Sequence, residues 1–153
     1  MIKMKDNYVI LDEILYDDGA YEISINTPIG VFTGYTEPDE TDAKYLSAYH
    51  ASEIALGKAL RKYAEASVNV LKHDIKMLNN MIKQACDCAR VSGLLDIDID
   101  NTSFRIMNGT LKQKQKELKL WESRVEGLTK NIVNRVSARD KIVAKYIEQD
   151  KAE

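Results

Sequence analysis

Proline placement limits the fold of this chain more than any other feature of its sequence. The two prolines are Pro28 and Pro38, so no proline ring interrupts a helical hydrogen-bond ladder after residue 38. Beyond that point apolar residues recur every three or four positions, which is the spacing of one face of an α-helix. The spacing predicts two long amphipathic helices, over residues 39–92 and 102–150, joined by a connector at residues 93–101.

Residues 1–38 carry the signals of β-structure instead. The Asp18–Gly19 pair is suited to the positive φ of a tight hairpin turn, and Pro28 and Gly30 fit the second and fourth positions of another turn. These signals predict a three-stranded antiparallel meander, and together with the helices they indicate a single α+β domain spanning residues 1–153. The three runs rich in β-forming residues are Tyr8–Tyr16, Tyr21–Ile25 and Val31–Tyr35.

The two predicted helices are too long and too apolar for each to be buried by the other alone. At 1.5 Å per residue the stretch of the first helix from Ala43 to Val91 would extend about 70 Å. A two-helix hairpin also leaves part of each apolar stripe exposed. We therefore expect a coiled-coil-like hairpin that associates further, as a homodimer or a larger homo-oligomer.

Charge and hydropathy argue against several classes of partner. Lys and Arg number 22 against 24 Asp and Glu, a net charge of -2, so no chain-wide positive field gathers nucleic acid or anionic lipid. The mean hydropathy of -0.36, without a long apolar run, predicts no membrane span. The first residues lack the apolar core of a secretion signal, so we expect the protein in the cytoplasm.

The sequence carries no local pattern of a catalytic, cofactor or metal site. Cys86 and Cys88 are one residue apart on a predicted helix and would point in different directions. The acidic run Asp96–Asp100 resembles the start of a calcium loop, but Asn101 and Met107 stand where that loop requires Gly and Glu. We therefore expect a protein without catalytic activity, bound metal or cofactor.

A cluster of lysines on the second predicted helix allows two interpretations. Such residues usually form a solvated helix face that keeps a long rod soluble. A surface for single-stranded nucleic acid is the alternative, although such grooves use aromatic platforms and this stretch offers only Trp121. The lysines are Lys112, Lys114, Lys116 and Lys119.

Two arginines interrupt the apolar stripe near the end of the second helix. The seven-residue spacing of Val125 and Ile132 leads to Arg139, and that of Leu128 leads to Arg135. Unpaired cations buried there would be unfavourable, so one hypothesis is that the two guanidiniums bind phosphate oxygens bidentately. The aromatic residues that could then stack on a base are Phe104, Tyr35 and Trp121.

The other hypothesis removes both arginines from the seam. If the stripe drifts at the true helical period, Val136 and Val143 continue it and the arginines lie at its edge. There each would pair with a carboxylate. The candidates are Asp140, Glu126 and carboxylates of a second subunit.

Two stretches resemble small accessory proteins of phages and prophages. Gly34–Glu40 ends a strand in Gly and starts a helix with Pro and acidic residues, and Glu53–Ala59 continues with an Ile-Ala helix. The overall plan, a meander followed by long helices, is similar to that of the Thoeris anti-defence sponges. Those proteins are homo-oligomers that bind cyclic ADP-ribose-type immune signals without cleaving them. The resemblance implies a phage protein that sequesters such a signal, or another cyclic nucleotide, in the host cytoplasm.

The resemblance also implies roles for individual residues. Arg135 and Arg139 would grip phosphates, Phe104 would stack on the base, and Asn108 would make a polar contact nearby. Three other functions stay open. The first is a nucleic-acid accessory protein that binds single strands and is similar to phage recombination mediators. The second is an inhibitor that binds a host defence protein through an acidic face, and the third is a structural virion component.

Overall fold

The computed structural model describes residues 7–37, 48–91 and 102–152, and it confirms the α+β fold class. The connector predicted at residues 93–101 and the helix start predicted at residue 39 lie outside the described residues. Three strands precede two helices. The elements are β1 (Val9–Leu15), β2 (Tyr21–Thr27), β3 (Gly30–Thr36), α1 (Ala48–Val91) and α2 (Thr102–Ala152).

The sheet is the antiparallel meander that the turn residues predict, with β2 between β1 and β3. Gly19 in the first turn has φ 90° and Gly30 has φ 134°, conformations that strain any residue with a side chain. The Asp18 carboxylate accepts a hydrogen bond from the Ala20 N–H at 3.0 Å, which tightens the first turn. Both turns therefore form where the sequence predicts them.

One face of the sheet packs closely against α1. Ile23 of β2 is 1% exposed and supplies apolar surface to this contact. Gly34 of β3 lies so close to α1 that a Cβ atom there would be 2.6 Å from the Ala59 nitrogen. Thr36 is also fully buried, and its Oγ1 donates a hydrogen bond to the Ala51 carbonyl at 2.8 Å. Small residues on both elements thus allow their backbones to approach.

The chain divides into two compact units. The first combines Met1–Glu65 with Ser123–Glu153, and the second is Ala66–Glu122. Within the second unit, α1 and α2 are joined by an ion pair in which Lys114 Nζ lies 3.2 Å from an Asp74 carboxylate oxygen. No stretch of the described helices is apolar enough over sufficient length to cross a membrane.

Within the first unit, α1 and α2 contact each other directly. A Cβ at Gly57 of α1 would lie 3.2 Å from Cγ1 of Ile132 of α2. Glu53 lies one turn before Gly57, and it forms an ion pair with Arg135, which lies nearly one turn after Ile132. The two helices therefore run in opposite directions in this unit. Leu128 and Ile132, which the apolar spacing assigns to the core, are 4% and 7% exposed.

Candidate functional site

The structure gives Arg135 an internal partner. Its guanidinium forms an ion pair with the carboxylate of Glu53, and the two side chains are 39% and 25% exposed. Neither hypothesis from the sequence named this carboxylate, because the pair joins two helices whose mutual register only the fold supplies. An anionic ligand at Arg135 would have to displace Glu53 or share the guanidinium with it.

Tyr35, another predicted site residue, lies in the same unit as Arg135. Tyr35 alternates with two β3 residues that face α1, so it lies on the opposite face of the sheet. Its ring meets that of Tyr16 edge-on, with ring centroids 6.1 Å apart. The structure thus brings Tyr35 together with another sheet residue, whereas Arg135 pairs with a residue of α1.

For the remaining predicted site residues the structure gives no contact with Arg135 or Tyr35. Asn108 is exposed and belongs to the unit Ala66–Glu122. The side chains of Phe104 and Arg139 lie outside the described residues. A phosphate-gripping arginine pair with a stacking ring therefore stays a prediction.

The lysine cluster of α2 and the acidic and thiol side chains offer little chemistry. Lys112, Lys116 and Lys119 are exposed, whereas Lys114 is engaged by Asp74. Within residues 7–37, 48–91 and 102–152, no group of three or more His, Cys, Asp or Glu side chains is placed to hold a metal ion.

The sheet is strongly acidic, a property that the chain-wide charge conceals. Residues 7–37 contain six acidic residues and neither Lys nor Arg. Counting charge by segment would have shown this from the sequence alone. Five of these carboxylates form no ion pair with any residue that the structure describes. The five are Asp12, Glu13, Asp17, Asp18 and Glu22.

The negative field of the sheet acts on its tyrosines. Desolvation raises the pKa of Tyr16 above 10.0, and the neighbouring Glu22 carboxylate raises this pKa further. The pKa of Tyr21 is raised in the same way, by desolvation first and then by Glu13. Tyr16 Oη donates to Glu22 at 3.2 Å and Tyr21 Oη donates to Glu13 at 3.3 Å. Phenols are thus held neutral beside the carboxylates.

We expect Glu22→Gln to lower the pKa of Tyr16 but to leave it above 10.0, because desolvation is the larger cause. Alkaline titration of tyrosinate absorbance, or of the Tyr16 ring signals by NMR, measures this. Glu122→Gln, an exposed change on α2, is the control and should leave the titration unchanged. An unaltered Tyr16 pKa in Glu22→Gln would contradict the assigned field.

The same pKa shifts set the direction of a pH effect on stability. Because folding raises these phenol pKa values, the neutral phenols favour the folded state. Their contribution is complete below pH 10, the unfolded pKa, and is lost as the pH rises through the folded pKa values. Glu22→Gln should therefore reduce the loss of stability above pH 10.

β1 combines exposed apolar side chains with two central acids. Val9, Leu11 and Leu15 are 66%, 55% and 57% exposed, values that are unusual for large apolar residues in a strand. Between them lie Asp12 and Glu13, both exposed. Open apolar surface of this kind on an edge strand favours association with another chain.

The opposite edge of the sheet is closed by α1. Lys62 Nζ donates a hydrogen bond to the Thr33 carbonyl at 2.8 Å, and Lys58 Nζ donates to the Tyr35 carbonyl at 3.2 Å. These carbonyls alternate along β3 and point away from β2. Lysines at a sheet edge block the addition of a further strand, so β1 is the edge that the described residues leave available.

No protein-family model, curated protein or solved structure matches this chain. The resemblance to the Thoeris anti-defence sponges therefore rests on the residues quoted for it and on the plan of a meander followed by long helices.

Proposed function

We propose that this chain is a non-catalytic binding protein whose acidic sheet attaches it to a positively charged partner protein. The observation that carries the proposal is the acidic sheet, in which residues 7–37 hold six acidic residues and no basic one. Complementary charge steers association and rejects partners of like charge. This function is the direct inhibitor that the sequence allows as an alternative, with the sheet as its acidic face.

The exposed apolar surface supports the same proposal. Apolar side chains of β1 lie beside the acids, so a partner would gain burial energy as well as charge pairing. The Arg135–Glu53 ion pair, in contrast, does not favour a nucleotide at that position over the internal carboxylate. The acidic and apolar residues of the sheet thus support protein binding, whereas the Arg135–Glu53 ion pair gives no comparable support to nucleotide sequestration.

We also propose that the helices hold copies of the chain together. Val70, Met77 and Met81 of α1 are 45%, 49% and 50% exposed. At about 100° per residue, their spacing places them near one face of the helix. An apolar stripe of this kind supports a coiled-coil-like hairpin that forms a homo-oligomer, in the cytoplasm of a phage-infected host.

A matched pair of charge variants tests the proposed function. Asp12→Asn/Asp17→Asn/Glu22→Gln should weaken capture of a host protein from lysate, and capture by the wild type should fall as salt rises. The control, Asp87→Asn/Glu122→Gln/Glu148→Gln, removes the same number of charges from exposed helix positions. Equal loss in both variants would contradict a role for the sheet.

Two of the other functions make different predictions. Sequestration predicts a selective rise in melting temperature with one cyclic ADP-ribose isomer or cyclic oligonucleotide, abolished by Arg135→Gln. Single-strand binding predicts a gel shift at low salt that neutralising Lys112 and Lys116 removes. Either result, with no capture through the sheet, would replace the proposal.

A further inference from the structure

The lysine contacts on β3 determine which residues of β1 direct their backbone N–H and C=O groups away from the sheet. The Thr33 and Tyr35 carbonyls point toward the lysines. Because successive residues of a strand alternate, Gly34 between them directs its N–H and C=O toward β2. Gly34 lies opposite Ile23, so the N–H and C=O of Ile23 point toward β3. Glu13, which lies opposite Ile23 on the other side, therefore directs its N–H and C=O away from the sheet.

A hydrogen bond within β1 agrees with this direction. The Glu13 N–H donates to the carboxylate of the preceding Asp12 at 2.9 Å, a local bond at an exposed position that an incoming carbonyl can replace. Leu15 lies two residues further along β1, so its N–H and C=O also point away from the sheet. The N–H of Tyr16 points inward instead, since it donates a hydrogen bond to the Ala20 carbonyl at 2.9 Å.

The charge of β1 argues against a second copy of this chain as the strand that pairs with it. In a two-fold antiparallel pairing centred on β1, Asp12 or Glu13 of one copy lies opposite an acidic residue of the other. Like charges directly opposite each other destabilise a strand pair. Because β1 contains no Lys or Arg, every other register still leaves Asp12 and Glu13 without a basic residue opposite them.

We propose that the free edge of β1 binds an extended segment of the partner protein as a fourth strand. This inference rests on the proposed function and names the chemistry of its ligand. Opposite Asp12 and Glu13 the segment carries two successive basic residues, and on either side of them it carries β-branched apolar residues. The apolar residues pack beside Leu11 and Leu15, and the backbone supplies a carbonyl to the Glu13 N–H.

A proline substitution separates strand addition from simple charge attraction. Glu13→Pro removes the outward N–H and the charge, whereas Glu13→Gln removes only the charge. Proline is tolerated in an edge strand where the N–H faces solvent. The probe is a blocked peptide of sequence Thr-Val-Val-Lys-Lys-Val-Val-Thr, with a Glu-Glu version as the control peptide.

We expect Glu13→Gln to weaken binding of the basic peptide about twofold to threefold. Glu13→Pro should weaken it about tenfold or more, because a backbone hydrogen bond and the approach of the strand are lost together. Isothermal titration at two salt concentrations measures both. Far-UV circular dichroism and melting curves establish that each variant is folded.

Amide hydrogen exchange on the wild type gives a second readout that needs no variant. The basic peptide should slow exchange at Glu13 and Leu15, while the Tyr16 amide, already bonded within the hairpin, should change little. Protection confined to other residues would overturn strand addition. The same holds for equal affinity of a folded Glu13→Pro variant and the wild type.

The remaining outcomes are also decisive. Failure of the basic peptide to bind the wild type overturns strand addition, whereas the lysate experiment with the charge variants decides the proposed function separately. A wild-type dimer that Glu13→Pro dissociates would assign the edge to a second copy of the chain. That result too would overturn the proposal.

Discussion

Gly34→Ala should lower the free energy of unfolding by about 3 kcal/mol or more. A Cβ atom at Gly34 would overlap the carbonyl oxygen of Ala55 and would lie 2.6 Å from the backbone nitrogen of Ala59. Backbone atoms cannot rotate away as the end of a side chain can, so β3 and α1 would have to separate. Urea unfolding followed by far-UV circular dichroism measures the loss.

Gly127→Ala is the matched control for this substitution. Gly127 lies in the interior of α2, is exposed, and has open space within 4 Å of an added Cβ. The same chemical change should therefore stabilise the protein, by about 0.5–1 kcal/mol, through helix propensity. If both substitutions had small effects of the same sign, the close approach of β3 to α1 would be wrong.

The role of Gly34 shows where sequence reasoning stops. The residue belongs to a stretch that the resemblance uses, and its place near a strand end was predicted, but its function as a contact point was not. Close approach needs Gly on one element and Ala on the other, in a register set by the fold. Turn glycines are different, because Gly19 and Gly30 act through local φ values that the sequence pattern alone predicts.

The same distinction applies to the helices and their charges. The apolar spacing predicted that Leu128 and Ile132 are buried, since helical periodicity is a local property. The partner of Arg135 is not local, because the pairing with Glu53 depends on how α1 and α2 align. The sequence could therefore identify Arg135 as unusual in its stripe without identifying the carboxylate that neutralises it.

The candidate binding edge was partly predictable. The concentration of acidic residues in the meander is visible by counting charge over residues 7–37. Which edge is open is not visible, since it depends on two lysines of α1 reaching the carbonyls of β3. The acidic face could thus be found from sequence, whereas the choice of β1 over β3 required the packing of α1.

Ile132→Ala should also destabilise the protein strongly, by about 3 kcal/mol. Ile132 is 7% exposed and lies against Gly57, so its truncation leaves a cavity between α2 and α1 that two helical backbones cannot easily close. Its neighbour Val133 is 60% exposed, and Val133→Ala should change stability by no more than about 0.5 kcal/mol. Thermal and urea unfolding of the two single variants measure the contrast.

A second substitution at the facing glycine tests whether the contact itself is responsible. An alanine methyl at Gly57 would lie 3.2 Å from Cγ1 of Ile132 in the wild type, which is tight, but would enter the cavity left by Ile132→Ala. Gly57→Ala should therefore be more favourable in the Ile132→Ala background than in the wild type, with a coupling of about 1 kcal/mol. Strict additivity of the two substitutions would show that the two residues do not pack against each other, and the antiparallel contact of α1 with α2 in this unit would lose its main support.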